Sequence, residues 1–161
     1  MLLFFVYSYI MKNTVIFDLD GTIALVDKRR EVSKLPDGKM NWDEWSNPSN
    51  IKLDEPNEPV IKMAQLFAED GFNIVIFSGR SDRTKYSTRS WLSQNKVPFN
   101  KLVMRPHKTK NFVPDDILKK DMLDKHLDIN DIFMVVDDRQ KVVDMWRSLG
   151  LICLQVAEGN F

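Results

Sequence analysis

The chain has 161 residues, of which 43% are hydrophobic and 29% charged; this suits one soluble domain with a modest insertion and argues against two full cores or disorder throughout. Lysine plus arginine and aspartate plus glutamate each number 23, so the formal net charge is zero. This balance argues against a protein that coats nucleic acid through a general basic excess, and any nucleic-acid contact must come from a local basic patch.

The first ten residues, MLLFFVYSYI, are apolar, but they are too short to span a bilayer and lack the basic start and cleavage site of a secretory signal. Met11 precedes KNTVIFDLDGT, which would be a natural protein start. Residues 1–10 are therefore interpreted as an upstream extension, either mis-assigned as coding or packed as an extra strand. The single Cys153, in the apolar run LICLQV, is interpreted as a buried inert thiol. We expect a cytoplasmic protein with no membrane partner.

Short apolar runs alternate with longer amphipathic stretches along the chain. Such alternation predicts an α/β fold, a three-layer Rossmann-like arrangement with a parallel five-stranded sheet between helices. The predicted strands are 14–20, 72–80, 101–104, 132–139 and 151–156, and the predicted helices are 57–70, 81–94, 115–127 and 141–150.

Residues 24–56 do not fit this alternation, because they are polar and are broken by Pro36, Gly38 and Pro48. We expect them to form a small cap insertion within a single domain spanning residues 1–161. Trp42 and Trp45 in this insertion are three residues apart, which favours packing of a short cap helix over stacking on a base.

Polar residues follow three of the predicted strands at the point where each ends. The carboxyl ends of parallel strands gather functional groups in such sheets. We therefore expect these residues to form one site: Asp18, Asp20, Ser78, Arg80, Asp137 and Asp138.

The run Asp18-Leu19-Asp20-Gly21-Thr22 carries the most specific chemistry. Strand side chains repeat every two residues, so the two aspartates are expected to project to one region. Two carboxylates at such a short distance repel each other unless a cation lies between them or one of them holds a proton. Mg²⁺ is bound by a few carboxylates together with phosphate oxygens. Gly21 allows a tight turn, and Thr22 is a candidate phosphate ligand. Alone, this pattern would indicate only a turn; the other strand ends give it functional weight.

Four segments together resemble the signature motifs of the haloacid dehalogenase superfamily: DLDGT, FSGR, a lysine on a later helix, and VVDDR, running from Asp18 to Arg139. The tail DDRQKVVDMWRSLGLICLQVAEGNF is similar to the end of the 3′-phosphatase domain of bacteriophage polynucleotide kinase–phosphatases, as are PDDILKKDMLDKH and VIFSGRSDRTKYSTRSWL. The cap is less alike, and the loop RPHKTKNFV departs from the Gly-Asp-containing loop usual in that family.

The resemblance implies a role for each matching residue. Asp18 would attack phosphorus and become an aspartyl-phosphate, and Asp20 would protonate the departing 3′ oxygen and then deprotonate water. Lys119 would neutralise the phosphate and orient Asp18. The implied metal ligands for Mg²⁺ are Asp18, Asp20 and Asp137, with Asp138 assisting. The implied phosphate or substrate contacts are Thr22, Ser78, Gly79, Arg80 and Arg139.

The residues that contact the rest of the substrate stay open. Arg83, Lys85 and Arg89 alternate with Tyr86 and Trp91, a pattern that fits either nucleic-acid contact or a solvated helix face. Arg105, after the third strand, is the better candidate for touching an oligonucleotide. The acids Asp115 and Asp116 are interpreted as helix N-terminal charges, and His107 and His126 are not expected to bind metal.

The favoured function is a polynucleotide 3′-phosphatase for repair of DNA or RNA ends. A small-nucleotide phosphatase is the alternative enzyme, because the cap sets substrate size, and an inactive accessory module is a third hypothesis. The sequence contains no G-x-x-x-x-G-K-[ST] loop. A separate kinase or ligase is therefore an expected partner, beside the 3′-phosphorylated ends.

Overall fold

The computed structural model describes residues 12–108 and 112–159, and a parallel sheet of five strands forms its centre. The strand order is β5-β4-β1-β6-β7, and every neighbouring pair in this sheet is parallel. The expected extension at 1–10 lies outside the described residues. In chain order the strands are β1 (Thr14–Phe17), β2 (Ala24–Leu25), β3 (Glu55–Pro56), β4 (Asn73–Ser81), β5 (Lys101–Arg105), β6 (Ile132–Arg139) and β7 (Cys153–Gly159).

Helices cover both faces of this sheet. They are α1 (Asp27–Val32), α2 (Trp42–Trp45), α3 (Glu58–Glu69), α4 (Lys85–Gln94), α5 (Asp115–His126) and α6 (Gln140–Ser148), with short 3-10 helices at Pro48–Leu53, Asp82–Thr84 and Ile129–Asp131. Within the part of the chain that the structure describes, no helix is both long and apolar enough to cross a membrane.

Alternate residues of each central strand enter two different cores. Ile74 and Ile76 of β4 pack with α3 and α4, whereas Val75 and Phe77 pack with α5 and α6. This is the period of two that a strand covered on both faces requires. The predicted α/β class with a five-stranded parallel sheet is confirmed.

The helix boundaries follow from local chemistry. Pro59 lies in the first turn of α3, where its missing N–H costs no hydrogen bond. Helix α5 carries acids in its first turn and Lys125 and His126 in its last turn, which complements the helix dipole. In α2, Asn41 caps the helix by accepting hydrogen bonds from the backbone N–H groups of Asp43 and Glu44.

The segment 24–56 forms a small unit of its own above the sheet. It begins and ends in the antiparallel pair β2 and β3, in which Ala24 lies opposite Pro56. Between them lie α1, α2 and the 3-10 helix Pro48–Leu53. Its apolar side chains, including Val26 and Ile51, join the core that α3 and α4 share with the sheet. The segment is therefore packed onto the domain core rather than tethered to it.

One predicted boundary is wrong in a way that matters for the site. Strand β1 ends at Phe17 rather than continuing to residue 20. The chain then turns, with Gly21 N donating to Ala24 O and Ala24 N donating to Leu19 O, each at 2.8 Å. Because Asp18 and Asp20 are not on one strand face, the period-two argument does not apply to them.

The described burial predicts that shortening a core side chain destabilises the protein more than shortening an exposed one. We expect Ile76→Ala, in a fully buried position, to lower the free energy of unfolding by about 2–5 kcal/mol, because it leaves a cavity in the central strand. Ile152→Ala removes the same atoms from a side chain that is 67% exposed and should change it by less than about 0.5 kcal/mol. Urea unfolding followed by circular dichroism measures both; equal losses would contradict the described burial.

Candidate active site at the carboxyl end of the sheet

A buried lysine joins two of the predicted site aspartates. Lys119 Nζ lies 2.6 Å from Asp18 Oδ1 and 2.8 Å from Asp137 Oδ2, and all three side chains are buried. Lys119 occupies the inward face of α5 together with Met122 and Leu123, three and four residues later. The face of α5 that packs in the core thus also places the ammonium group of Lys119 at the ends of β1 and β6.

Asp137 is held in place from both of its oxygens. Its Oδ1 accepts hydrogen bonds from the backbone N–H groups of Asp138 and Arg139, at 3.0 and 3.3 Å. Its Oδ2 accepts from the buried Trp146 indole at 3.3 Å in addition to Lys119. These bonds orient the carboxylate before any ligand arrives.

Three buried carboxylates lie close enough together to share a metal ion. One oxygen each from Asp18, Asp137 and Asp138 can be chosen so that all lie within 4.8 Å of one another. Gly21 makes the approach of Asp138 possible: its φ is +87°, and a Cβ there would lie 2.2 Å from Asp138 Oδ2. An all-carboxylate donor set of this kind suits a hard cation such as Mg²⁺.

Burial raises the pKa of Asp18 well above its ordinary value, and the nearby Asp137 and Asp138 add to this despite the opposing Lys119. The pKa of Asp138 is also raised, by burial and by Asp137. Burial alone would lower the pKa of Lys119, but Asp137 and Asp18 outweigh it and raise the value, so the lysine stays protonated. A divalent cation among the carboxylates would favour their ionised forms.

Asp20 belongs to a second, separate charge network. Its Oδ1 pairs with Arg29 at 2.8 Å and with Arg80 at 2.5 Å. The same two arginines pair with the buried Asp54, at 2.8 and 2.6 Å. Burial alone would raise the pKa of Asp20, but Arg80 and Arg29 outweigh it and hold the pKa below its ordinary value. Asp20 is thus kept ionised beside the site.

This network ties the cap to the sheet. Arg29 comes from α1, Asp54 from the end of the cap's 3-10 helix and Arg80 from the end of β4. Arg29 also lies over the Trp45 ring, 4.0 Å from its centroid. Trp45 therefore packs within the cap, as predicted, and contacts an arginine of the site. The prediction is wrong for Trp42, which is 65% exposed.

A third network surrounds Asp115 at the start of α5. Asp115 Oδ1 pairs with Arg105 at 2.5 Å and Oδ2 pairs with Arg139 at 2.6 Å. Arg105 also donates to the backbone carbonyls of Gly79 and Val113, at 3.1 and 2.6 Å. Asp115 is therefore more than a helix N-terminal charge, since it joins the ends of β5 and β6.

The remaining predicted residues lie at the same end of the sheet. Thr22 is buried and donates to Asp138 Oδ1 at 3.3 Å, and Ser78 Oγ accepts from the backbone N–H of Arg80 at 3.1 Å. A Cβ on Gly79 would lie 2.8 Å from Asp115 Oδ1, so a larger residue would push this carboxylate aside. Contact of Thr22, Ser78 and Gly79 with a phosphate stays a prediction.

Three predicted residues have partners that were not expected. The Asp20 carboxylate is not among the three that lie together, so its part in metal binding stays a prediction. The guanidinium of Arg80 is buried between Asp20 and Asp54, and that of Arg105 is engaged by Asp115 and two carbonyls. Their contact with substrate likewise stays a prediction.

The sequence did not reveal Arg29 and Asp54 as site residues. Both lie in the polar insertion, where charged residues are numerous and most are solvated. No spacing rule links residues 29, 54 and 80, because only the folded cap brings them together. The pairing of Arg105 and Arg139 with Asp115 was hidden for the same reason.

The ends of β1 and β6 and a lysine of α5 thus bring aspartates and a buried cation together at the carboxyl end of the parallel sheet. The model of the polynucleotide kinase PNKP phosphatase domain matches residues 12–161. The chain therefore belongs to the PNKP phosphatase domain family and is a phosphatase of the haloacid dehalogenase class, as its motifs predicted.

Solved structures agree with this assignment. A chain in a structure of a Pnkp1/Rnl/Hen1 complex is 30% identical, with a TM-score of 0.76 over 94% of this chain and 48% of its own length. A chain in a structure of the Pnkp1/Rnl/Hen1 RNA repair complex is also 30% identical, with a TM-score of 0.75 over 92% and 43% of the two chains. This chain thus spans about half the length of those two relatives.

A predicted phosphatase from Clostridium acetobutylicum shares the fold at 12% identity, with a TM-score of 0.69 over 90% of this chain and 84% of that one.

Neighbouring residues of α1 provide a test of the Asp20 network. Arg29→Ala leaves Asp20 and Asp54 with less positive charge in a buried site, so we expect a loss of about 3–5 kcal/mol in the free energy of unfolding. Lys28→Ala breaks the exposed pair with Glu55 and should cost less than about 1 kcal/mol. Chemical denaturation at pH 7 compares them. A loss in Arg29→Ala no larger than that in Lys28→Ala would refute the buried network.

Proposed function

We propose that this phosphatase removes 3′-phosphates from nucleic-acid ends, in a Mg²⁺-dependent reaction that proceeds through a phosphoryl group on Asp18. The observation that carries the proposal is Lys119, which bridges Asp18 and Asp137 in a buried cluster of carboxylates. Membership of the PNKP phosphatase domain family supports the choice of a 3′-phosphorylated end as the substrate.

The donor set fits Mg²⁺. Asp18, Asp137 and Asp138 would hold the ion, and Thr22 donates a hydrogen bond to Asp138. When bound, Mg²⁺ would offset the repulsion between an attacking carboxylate and a phosphate dianion. Lys119 contributes a fixed positive charge to the same end, because its pKa is raised and its Nζ is already bonded to Asp18.

The first half of the proposed reaction transfers the phosphoryl group to the enzyme. A carboxylate oxygen of Asp18 forms a bond to phosphorus while the bond from phosphorus to the 3′ oxygen breaks, and Asp20 gives that oxygen a proton. In the second half water attacks phosphorus, Asp20 takes its proton, and phosphate leaves as the Asp18 carboxylate reforms. The covalent intermediate divides one difficult displacement into two easier ones.

The charge network around Asp20 favours the second of its two roles. Arg29 and Arg80 hold the pKa of Asp20 low, which suits a group that accepts a proton from water. To donate a proton first, Asp20 must become protonated when substrate arrives. The negative charge of an incoming phosphate raises the pKa of a nearby carboxyl group and so supplies this change.

A partner that supplies other end-repair steps is part of this proposal. Two relatives at 30% identity come from Pnkp1/Rnl/Hen1 complexes, and one of these is described as an RNA repair complex. We infer that this chain acts on DNA or RNA ends beside a separate kinase or ligase.

Phosphate release from three substrates tests the proposal. We expect the highest kcat/KM for a 3′-phosphorylated oligonucleotide, a lower value for a 3′-mononucleotide and the lowest for a 5′-mononucleotide. Chelator should abolish release and added Mg²⁺ should restore it, because the carboxylate cluster then recovers its cation.

Asp18→Asn protein purified in parallel gives the background of contaminating phosphatases. Preference for the 5′-mononucleotide would overturn the end-repair function and favour a small-nucleotide phosphatase. Full turnover in chelator would contradict the metal requirement.

A further inference from the structure

The zero net charge of the chain hides a strongly uneven distribution. No aspartate or glutamate occurs between Asp82 and Asp115, a stretch of 32 residues, so the rest of the chain carries an acidic excess. The eight basic residues of this stretch are Arg83, Lys85, Arg89, Lys96, Lys101, Arg105, Lys108 and Lys110.

The fold gathers the described part of this stretch, residues 83–108 and 112–114, on one flank of the molecule. It includes α4 and β5, and β5 is the edge strand of the sheet. The flank therefore forms a basic side of an otherwise acidic protein. A local basic patch is what a neutral protein requires if it is to bind nucleic acid.

The cations on α4 and on the 3-10 helix before it differ from those inside the site. Arg29, Arg80 and Lys119 are each paired with carboxylates. By contrast, Arg83, Lys85 and Arg89 form no ion pair with any acidic group in residues 12–108 and 112–159. Their charges are therefore available to phosphate groups of a ligand.

A groove runs along the outer face of α4. Its volume is about 540 Å³, and its lining includes Tyr86, Arg89, Ser90 and Phe99. The Tyr86 side chain is 87% exposed, whereas the other face of the helix, with Thr88 and Trp91, is buried. A ten-residue helix is about 15 Å long, which gives room for two or three extended nucleotides.

The start of α4 adjoins the Asp20 network. Helix α4 begins soon after the end of β4, separated from it only by the 3-10 helix Asp82–Thr84. Thr88 Oγ1 accepts a hydrogen bond from Arg80 Nη1 at 3.3 Å, and Arg80 pairs with Asp20. Thr88 therefore faces the Asp20 network, and Tyr86, two residues earlier in α4, lies on the opposite side of the same helix turn.

A solvated helix face would explain the charges but not the exposed ring. Aromatic rings beside basic side chains are how proteins hold single strands, since bases stack on the rings and cations contact the phosphates. We propose that the single strand leading to the 3′-phosphate lies along α4, with a base on Tyr86 and phosphates at Arg83, Lys85 and Arg89. This assignment rests on the proposed action on polynucleotide ends.

Direct binding tests the surface without catalysis. A fluorescent single-stranded oligonucleotide with a 3′-hydroxyl is titrated with the 161-residue protein, and Kd is read from anisotropy. We expect Tyr86→Ala to raise Kd about tenfold, which is the usual effect of losing one stacked base. In the double variant Lys85→Ala/Arg89→Ala, the negative slope of the logarithm of the association constant against the logarithm of salt concentration should become shallower by about 1.4, because two phosphate contacts are lost.

A charge-matched control is Lys62→Ala/Lys125→Ala, which removes two exposed lysines from α3 and α5 outside the basic stretch. This control should leave Kd and the salt slope unchanged. Unchanged Kd and slope in the α4 variants, or equal losses in the control, would overturn the proposed surface.

Kinetics separates this inference from the proposed function. If both hold, the α4 variants raise KM for the 3′-phosphorylated oligonucleotide and leave turnover of the 3′-mononucleotide unchanged. A wild-type protein that prefers the oligonucleotide, together with α4 variants that have unchanged KM, overturns only the surface. A wild-type protein with no preference for the oligonucleotide overturns the proposed function, and the binding measurement still decides the surface.

Discussion

The ion pairs of buried Lys119 with Asp18 and Asp137 are the interaction on which the site depends. They join the end of β1, the end of β6 and the inner face of α5. Buried charges are costly to desolvate, and loss of one partner leaves the others uncompensated. The core therefore has to hold all three in register, and it does so through α5 residues such as Met122 and Leu123, which pack against the sheet.

Asp18 and Asp20 are two residues apart in the sequence, but their carboxylates lie in opposite electrostatic environments. Asp18 lies with other carboxylates, and burial raises its pKa, so that it depends on added positive charge. Asp20 lies between two arginines, which lower its pKa. The early end of β1 separates them, because the chain turns after Phe17. The proposed roles of Asp18 as nucleophile and Asp20 as proton-transfer group would require such unlike settings, and a short turn provides both.

The sheet and the grouping of the strand-end acids were predictable from the sequence, whereas the arginine networks were not. Strand patterns and strand-end polar residues are local signals, and they indicated Asp18 and Asp137. The family resemblance alone indicated Lys119, which lies on a helix. The partners of Asp20 depend on how residues 24–56 fold over the sheet, which no local periodicity encodes. The strand prediction around Asp20 failed because the apolar Leu19 belongs to a turn that is itself packed in the core.

The most direct measurement is to locate the phosphoryl group on the enzyme. Asp20→Asn protein, in which hydrolysis of the intermediate should be slow, is mixed with Mg²⁺ and a 3′-phosphorylated oligonucleotide, quenched in acid and mapped by mass spectrometry. The account predicts one added phosphoryl group on the peptide that contains Asp18, and none when Asp18 is also changed to asparagine. Substrate turnover with a phosphoryl group on a different residue, or with no phosphorylated enzyme at any time point, would contradict it.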